Sequence, residues 1–220
     1  MCKKADRQGN SLLIAITGGL GTGKSSVLSI LKTMGYACID VDRLAKQVLE
    51  EDREVMKEVR RNLGEEVVDG AGRVKREVLR ELIISDEKKR EALEAIAHPR
   101  ILALLKEEIN RFSRERDNKF IFVEVPLLFE VGWEQFFDLV VCVWARDAKA
   151  IERVSERHGI AIETAREWFF LQMPLEEKVK KSHYVLRNVG DKEALVTVVE
   201  NMVKWLTQKQ SSCRSQIKLL

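Results

Sequence analysis

The sequence predicts an α/β protein whose core is a five-stranded parallel sheet with helices on both faces. One observation behind this prediction is a short apolar run at 12–17, which a glycine-rich turn and then a helical pattern follow. A second is the recurrence of strand-like apolar runs at 36–39, 120–125, 139–144 and 183–186. Helical stretches separate these runs, and strands that alternate with helices form parallel sheets.

The glycine-rich turn matches the P-loop pattern G-x-x-x-x-G-K-[ST] at Gly18, Gly23, Lys24 and Ser25. Glycines allow successive backbone N–H groups to converge on phosphate oxygens, and the following helix points its positive dipole end at the same anion. Lys24 is expected to reach the outer phosphates, and the Ser25 hydroxyl to ligate Mg²⁺. The pattern therefore predicts a nucleoside triphosphate site, because a turn that only joins a strand to a helix does not need all these residues. The residues expected to line the site are Gly19, Leu20, Gly21, Thr22, Gly23, Lys24, Ser25 and Ser26.

Composition narrows the class of protein and its setting. The chain has 220 residues, enough for one substantial core, and its formal net charge is +3 with acidic and basic residues interleaved. We therefore expect no nucleic-acid partner. The apolar runs are too short to cross a bilayer, and the N-terminus does not resemble a cleaved signal peptide, so we expect a cytoplasmic protein with no membrane partner. Cys38 and Cys142 lie in strand-like runs and are predicted to be buried thiols.

Three carboxylates lie at or just after the ends of predicted strands. The second strand runs into Asp40 and Asp42, and the third contains Glu124 near its end. Carboxyl ends of parallel strands meet at the edge of the sheet where ligands bind, so these acids are site candidates. Two alternatives remain open: Asp42 is an ordinary helix N-cap, and Glu124 is a strand-end acid that faces solvent.

Two long helical segments accompany the predicted core. Residues 43–118 are charged and helical in period, with a local interruption at Ala97-His98-Pro99, and we expect a helical arm beside the sheet. Residues 146–182 contain Arg153 and Arg157, which are four apart and share a helix face. This segment is either solvated charge or a mobile lid that brings cations to the phosphates. The chain is thus predicted to be a single domain, 1–220, with a nucleotide-binding core at 12–42, 119–145 and 183–209.

A P-loop alone does not identify the acceptor, so three classes of protein must be compared. A switch GTPase needs an Asn-Lys-x-Asp guanine reader, but Asn118-Lys119 is followed by Phe120-Ile121. A transporter ATPase needs a longer nucleotide domain and a Leu-Ser-Gly-Gly-like signature, which the sequence lacks. A compact chain with a helical arm and an arginine-rich lid favours a P-loop kinase fold of the nucleoside-monophosphate type.

Several ordered strings make the chain similar to one kinase family. They begin with the P-loop at 17–25 and Ile39-Asp40-Val41-Asp42, and continue with Ala97-His98-Pro99, Val125-Pro126-Leu127-Leu128-Phe129-Glu130 and Gln172-Met173-Pro174-Leu175-Glu176-Glu177-Lys178. With these strings the sequence resembles the dephospho-coenzyme A kinases from about Leu13 to Trp205. The last two strings are the most specific ones.

The resemblance implies transfer of the γ-phosphoryl group of ATP to the ribose 3′-hydroxyl of dephospho-CoA, with Mg²⁺, giving CoA and ADP. It implies that Asp42 accepts or orients the hydroxyl proton and that Lys24, Arg153 and Arg157 act on the phosphates. Ser25 would ligate the metal, with Asp40 and Glu124 acting through water. The resemblance also assigns Asn188 to ATP and the following residues to the acceptor: Asp42, Lys46, Arg76, His98, Pro126, Leu127 and Leu128. The expected state is a monomer or a weak homo-oligomer.

The sequence departs from the family pattern at three places. Glu124 stands where the family usually has Asp, and Trp168 stands where it commonly has Arg. If that Arg contacts phosphate in the family, Arg166 or Arg157 has to take over its function here. Arg187-Asn188-Val189-Gly190 replaces the more usual Asp-Asn-Ser-Gly near the base. The rival hypotheses are a P-loop kinase for another nucleotide or a sugar-like alcohol, and a nucleotide-gated interaction protein.

Overall fold

A computed structural model of the chain describes residues 11–70, 73–115 and 119–217. It contains one sheet of five strands in the order β2-β3-β1-β4-β5. β1 pairs in parallel with β3 and with β4, and β4 pairs in parallel with β5. The predicted five-stranded parallel sheet is confirmed. The strands are β1 (Leu12–Gly18), β2 (Ala37–Asp40), β3 (Phe120–Glu124), β4 (Leu139–Trp144) and β5 (Tyr184–Arg187).

Helices fill the connections between the strands. α1 (Lys24–Thr33) leaves the P-loop, and three short helices lie between β4 and β5: α6 (Asp147–His158), α7 (Ile162–Phe170) and α8 (Leu175–Lys181). Between β2 and β3 are α2 (Val41–Glu51), α3 (Arg53–Leu63), α4 (Arg76–Ser85) and α5 (Glu87–Arg114), and α9 (Lys192–Ile217) follows β5. Within the described ranges, no helix combines the length and the apolar character needed to span a membrane.

Helices cover both faces of the sheet, as predicted. Ile14, Ile16 and Val141 belong to one apolar cluster with side chains of α1 and α9. Cys142 alternates with Val141 along β4 and so faces the other side, where α8 lies against β1 and β4. Strands buried on both faces read as continuous apolar runs, which explains why β1, β3 and β4 are apolar at nearly every position.

The chain divides into two compact units. The first contains the described residues up to Ile39 and from Phe112 onward, and therefore the P-loop and most of the sheet. The second is Asp40–Arg111, which is built from α2 to α5 and a 3₁₀ turn at Glu65–Val67. Within the second unit, Asp52 caps α3 by accepting hydrogen bonds from the backbone N–H groups of Glu54 at 3.0 Å and Val55 at 3.2 Å.

The predicted interruption at Ala97-His98-Pro99 is wrong, because α5 runs through Pro99 without a break. Proline lacks an N–H group and removes one helical hydrogen bond, which disfavours such a helix. Packing outweighs this cost here. Ala97, Ile101 and Leu105, at a spacing of four residues, are buried on one face of α5.

Candidate active site

The P-loop lies between β1 and α1, and its backbone requires glycine. Gly21 has φ 69° and Gly23 has φ 95°, which are left-handed conformations that side chains disfavour. Space is also lacking, since a Cβ at Gly21 would overlap the Ala150 carbonyl and one at Gly23 would overlap the Asn188 amide. Substituting either glycine would therefore change the loop that has to surround the phosphates.

Lys24 is folded back over the loop. Its Nζ donates to the carbonyl oxygens of Gly19 at 2.8 Å and Gly18 at 3.2 Å, and the residue is only 7% exposed. The Thr22 hydroxyl donates to the same Gly19 oxygen at 2.9 Å, which stabilises the tight turn. The ammonium group is thus held inside the loop, where phosphate oxygens can replace the carbonyl oxygens as its partners.

One cavity of about 560 Å³ begins at the C-terminal half of the P-loop. Gly23, Ser25 and Ser26 form one wall, and Arg153 and Asn188 line it from α6 and the segment after β5. Ser25 and Ser26 are exposed at the start of α1, whose free N–H groups and dipole favour an anion. This cavity can hold a nucleotide with its phosphates on the loop.

Asn188, which the family resemblance assigns to ATP, has a structural function. Its Nδ2 donates to the Thr22 carbonyl at 2.8 Å, and its backbone N–H donates to Trp144 at 2.7 Å. These bonds connect the end of β5 to the P-loop. The neighbouring Arg187 lies over the Trp144 ring, 5.3 Å from its centroid, so its charge is directed to an aromatic face.

The two arginines predicted to act from a lid, Arg153 and Arg157, have different positions. Arg153 Nη1 donates to the Gly21 carbonyl at 3.4 Å, so α6 brings this cation to the P-loop. Arg157 is exposed in the last turn of α6. Trp168 packs its ring edge-on against His158, with 5.4 Å between the centroids, and thereby connects α7 to α6. Arg166 lines a second cavity, together with Gly19 and Leu20 of the P-loop.

Glu124 is the last residue of β3, in register with Ile16 of β1 and only 7% exposed. The alternative of a strand-end acid facing solvent is therefore wrong. Glu124 therefore lies at the carboxyl end of the strands, where β1 leads into the P-loop. Together with the Ser25 hydroxyl it supplies hard oxygen donors, which fit Mg²⁺.

In the second unit, Asp40 and not Asp42 is the helix cap. Asp40 Oδ1 accepts a hydrogen bond from the Arg43 N–H at 3.2 Å. Asp42 is the second residue of α2 and is exposed, which excludes the N-cap alternative proposed for it. Lys46 is exposed one turn further along α2, so its side chain and that of Asp42 share a helix face.

The two other predicted acceptor residues of this unit lie on α4 and α5. His98 is half-buried in α5, and burial lowers the pKa of its imidazole while the nearby Glu94 carboxylate opposes this shift. A histidine with a lowered pKa is neutral at pH 7 and offers hydrogen bonds rather than charge. Arg76 is the first residue of α4, and its side chain lies outside the described part of the structure.

The turn after β3 contains the predicted Pro126-Leu127-Leu128 segment. Leu128 is fully buried, whereas Leu127 is 41% exposed. The Pro126 carbonyl accepts hydrogen bonds from Lys178 Nζ at 2.8 Å and from the Thr17 hydroxyl at 3.4 Å. Leu128 therefore belongs to the core, and Pro126 and Leu127 form the part of the turn that a ligand can reach.

Sequence reasoning missed an ion pair that joins the two most specific strings. Lys178 on α8 is completely buried, and its Nζ lies 2.8 Å from Glu130 Oε1. The same oxygen accepts a hydrogen bond from the Met173 N–H at 3.0 Å. The only available signal was that one string ends in an acid and the other in a lysine.

The buried thiol predicted at Cys142 is confirmed. Cys142 is 0% exposed on β4, and burial raises the pKa of its thiol to about 11, although the nearby Lys178 and Lys24 ammonium groups oppose the shift. Cys38 is partly buried on β2, and burial raises the pKa of its thiol to about 12. Both side chains are neutral thiols at pH 7, so neither is an activated nucleophile.

Comparisons with known proteins identify a family for the chain. The family model described as dephospho-CoA kinase matches residues 12–194. A relative from Thermus thermophilus, named dephospho-CoA kinase, is 37% identical over 196 residues, which cover 89% of this chain and 92% of the relative. Another of that name, from Anaeromyxobacter dehalogenans, is 33% identical and covers 87% of this chain and 90% of its own length.

A solved structure of the Thermus thermophilus protein TT1252 has a TM-score of 0.77 at 36% identity, covering 90% of this chain and 97% of that one. The structure of a Campylobacter jejuni dephospho-CoA kinase has a TM-score of 0.66 at 23% identity, with 92% and 99% covered, and it supports the fold alone. From the extent of the family match and the identity to curated relatives, it follows that this chain belongs to the dephospho-CoA kinase family.

Proposed function

We propose that the chain transfers the γ-phosphoryl group of ATP to the 3′-hydroxyl of the dephospho-CoA ribose, forming CoA and ADP, which is the final step of coenzyme A synthesis. The observation that supports this proposal most directly is the complete P-loop site, in which Lys24 lies on the Gly18 and Gly19 carbonyls and Arg153 reaches Gly21. Family membership supports the choice of acceptor.

In the proposed reaction, the acceptor oxygen attacks the γ-phosphorus, and the bond to the bridging oxygen of ADP breaks. Phosphoryl transfer of this kind depends mainly on positioning and on neutralising charge. Lys24 and the P-loop N–H groups hold the phosphates. Arg153 and Arg157 of the lid neutralise charge during transfer, and Asp42 orients the hydroxyl and accepts its proton.

Mg²⁺ is part of the proposal. The Ser25 hydroxyl would ligate the ion directly, and Asp40 and Glu124 would hold its water molecules. Glu124 suits this function because it ends β3 in register with Ile16 of β1, the strand that leads into the P-loop. Asp40 already uses Oδ1 for the cap of α2. The ion would supply positive charge that offsets the negative charge of the phosphates.

The residues proposed to contact the acceptor are Lys46, Arg76, His98 and those of the Pro126-Leu127-Leu128 turn. Lys46 and Arg76 supply cations suited to the diphosphate of dephospho-CoA, and His98 supplies a neutral hydrogen-bonding group. Since Leu128 is buried, its contribution is to hold the turn. The proposal retains the cytoplasmic location and the monomeric or weakly homo-oligomeric state that the sequence predicts.

The test is ADP release in the presence of Mg-ATP, measured with dephospho-CoA, AMP, adenosine or no acceptor. The proposal expects release only with dephospho-CoA, with CoA as the product. Release with AMP instead would move the chain to the nucleotide kinases. An absence of acceptor-dependent release would favour a nucleotide-gated interaction protein.

A further inference from the structure

A second cavity, of about 430 Å³, begins at the N-terminal half of the P-loop. Gly19 and Leu20 form its P-loop wall, and the other walls come from α6, α7, the α7–α8 turn and the start of α8. The first cavity uses Gly23 and the start of α1 instead. The two cavities thus meet the same loop at its two ends, and in-line phosphoryl transfer requires the donor and the acceptor on opposite sides of the phosphorus.

The lining of this second cavity, which we call the lid cavity, is largely apolar. Ile151, Phe169, Phe170, Met173 and Leu175 face it, and Phe170 is 88% exposed. A ligand that removes such an exposed phenylalanine ring from water is bound more tightly, because burying the ring lowers the free energy of the complex. The chemistry of these walls fits an aliphatic chain rather than a second nucleotide phosphate.

The charged and polar groups of the lid cavity point to the same kind of ligand. Arg166 is accompanied by the carboxylates of Asp147 and Glu176, so the walls do not attract an additional anion. Gln172 also lines the cavity, and its Oε1 is buried and accepts no hydrogen bond from the described residues. A buried amide oxygen of this kind is stabilised by an N–H donor from a ligand.

We propose that the lid cavity binds the uncharged, amide-containing arm of the acceptor, which is the pantetheine chain of dephospho-CoA. Phe169 and Phe170 pack on the aliphatic part of the arm, and Gln172 Oε1 accepts a hydrogen bond from one of its amide N–H groups. This inference rests on the proposed function. It makes Phe170 and Gln172 determinants of specificity, because acceptors without the arm do not use them.

The first test measures binding directly, without turnover. Pantetheine alone is added to the protein, and saturation-transfer NMR reports its contact with the chain in the presence of Mg²⁺ and a non-hydrolysable ATP analogue. Wild type and Ile162→Ala are expected to give the signal, and Phe170→Ala to lose it. Ile162 is a matched control, since it is exposed on the same helix and lies outside the cavity lining.

The second test compares acceptors by calorimetry with the nucleotide site saturated by the same analogue. Phe170→Ala is expected to weaken dephospho-CoA binding about tenfold more than AMP binding, because AMP has the same ribose hydroxyl but no arm. Gln172→Met, which keeps the length of the side chain but removes the acceptor oxygen, should act in the same direction. Melting temperatures confirm that each variant is folded.

The outcomes separate the two proposals. Equal weakening of dephospho-CoA and AMP, or an unchanged pantetheine signal in Phe170→Ala, would overturn the assignment of the cavity. If wild type released no ADP with dephospho-CoA yet bound pantetheine through Phe170, the proposed function would fail and the arm site would stand. If wild type phosphorylated dephospho-CoA but did not bind pantetheine, only the arm site would fail.

Discussion

At the scale of single residues, Lys24 shows how the P-loop stabilises a buried positive charge. Its ammonium group is buried and uses two backbone carbonyls of the P-loop as partners. A buried cation without such partners would be costly, and the two carbonyls satisfy it here. In the proposed site, phosphate oxygens replace these carbonyls as partners of the same ammonium group.

Lys24→Ala is expected to lower kcat/KM for ATP at least about a hundredfold, because one preorganised donor to the phosphates is lost. Steady-state ADP release measures the effect. Lys32→Ala is the matched control, since Lys32 is exposed in the last turn of the same helix. Near-normal turnover of Lys24→Ala would contradict the assigned P-loop function.

Asp42→Asn is expected to lower kcat about a hundredfold while ATP affinity stays close to that of wild type, because only the proton acceptor is changed. Turnover and nucleotide titration measure the two quantities separately. Glu51→Gln, an exposed acid at the end of the same helix, serves as the control. Since Asp40 is the cap of α2, normal turnover of Asp42→Asn would show that Asp42 has neither a catalytic nor a capping function.

The lowered pKa of His98 predicts that the free energy of unfolding depends on pH. Burial lowers its pKa in the folded chain below the usual value of 6.5, so the unfolded chain binds the proton more readily. The free energy of unfolding is therefore fully retained above pH 6.5 and falls as the pH decreases below that value. Urea denaturation at pH 7.5 and pH 5.5 should show a smaller decrease for His98→Gln than for wild type. An equal decrease would assign the effect to other groups.

At the scale of secondary-structure elements, the contact between α8 and the turn after β3 is the least expected feature. Lys178 is 0% exposed and lies between Glu130 Oε1 and the Pro126 carbonyl, both at 2.8 Å. Glu130 also holds the backbone at Met173, where the α7–α8 turn ends. One ion pair thus fixes the end of the lid segment against the turn that is proposed to meet the acceptor.

Glu130→Ala is expected to lower the free energy of unfolding by about 3 kcal/mol, because it leaves the Lys178 charge buried without its carboxylate. The double variant Glu130→Ala/Lys178→Met should recover a large part of this loss, since no charge then remains buried. Chemical denaturation measures both. Lys180→Met is the control, because Lys180 is exposed on the same helix and pairs with the exposed Glu177. If the double variant were less stable than Glu130→Ala, the unpaired Lys178 charge would not be the cause of the lost stability.

At the scale of the whole molecule, the described chain consists of a unit that carries the P-loop and a separate helical unit, Asp40–Arg111. Ligands that bind the folded chain stabilise it by mass action. The first cavity, where ATP is proposed to bind, is lined by residues of the first unit. The primary effect of ATP is therefore expected in that unit.

A non-hydrolysable ATP analogue with Mg²⁺, at a hundred times its Kd, is expected to raise the free energy of unfolding by about 2.7 kcal/mol. Hydrogen exchange should show new protection in the P-loop and the first turn of α1. Chelation of Mg²⁺ should reduce the gain, because the proposed metal neutralises part of the phosphate charge. A gain that does not change on chelation would contradict the metal assignment at Ser25.

Much of the fold could be predicted from the sequence because the relevant signals are local. A strand, a glycine-rich turn and a helix that follow one another identify the P-loop, and continuous apolar runs identify β1, β3 and β4 as strands buried on both faces. The choice between Asp40 and Asp42 as the cap depends on one side-chain hydrogen bond, which spacing alone does not decide.

By itself, then, the sequence determined the sheet, the P-loop and the family resemblance, since backbone periodicity and short motifs are written in consecutive residues. Only the tertiary structure decided that α5 continues through Pro99, that Glu130 meets the N–H of a residue 43 positions away, and that Gln172 and Phe170 line one cavity with Gly19. These features depend on packing between distant segments, where burial outweighs local preference and charges find partners that no spacing in the sequence indicates.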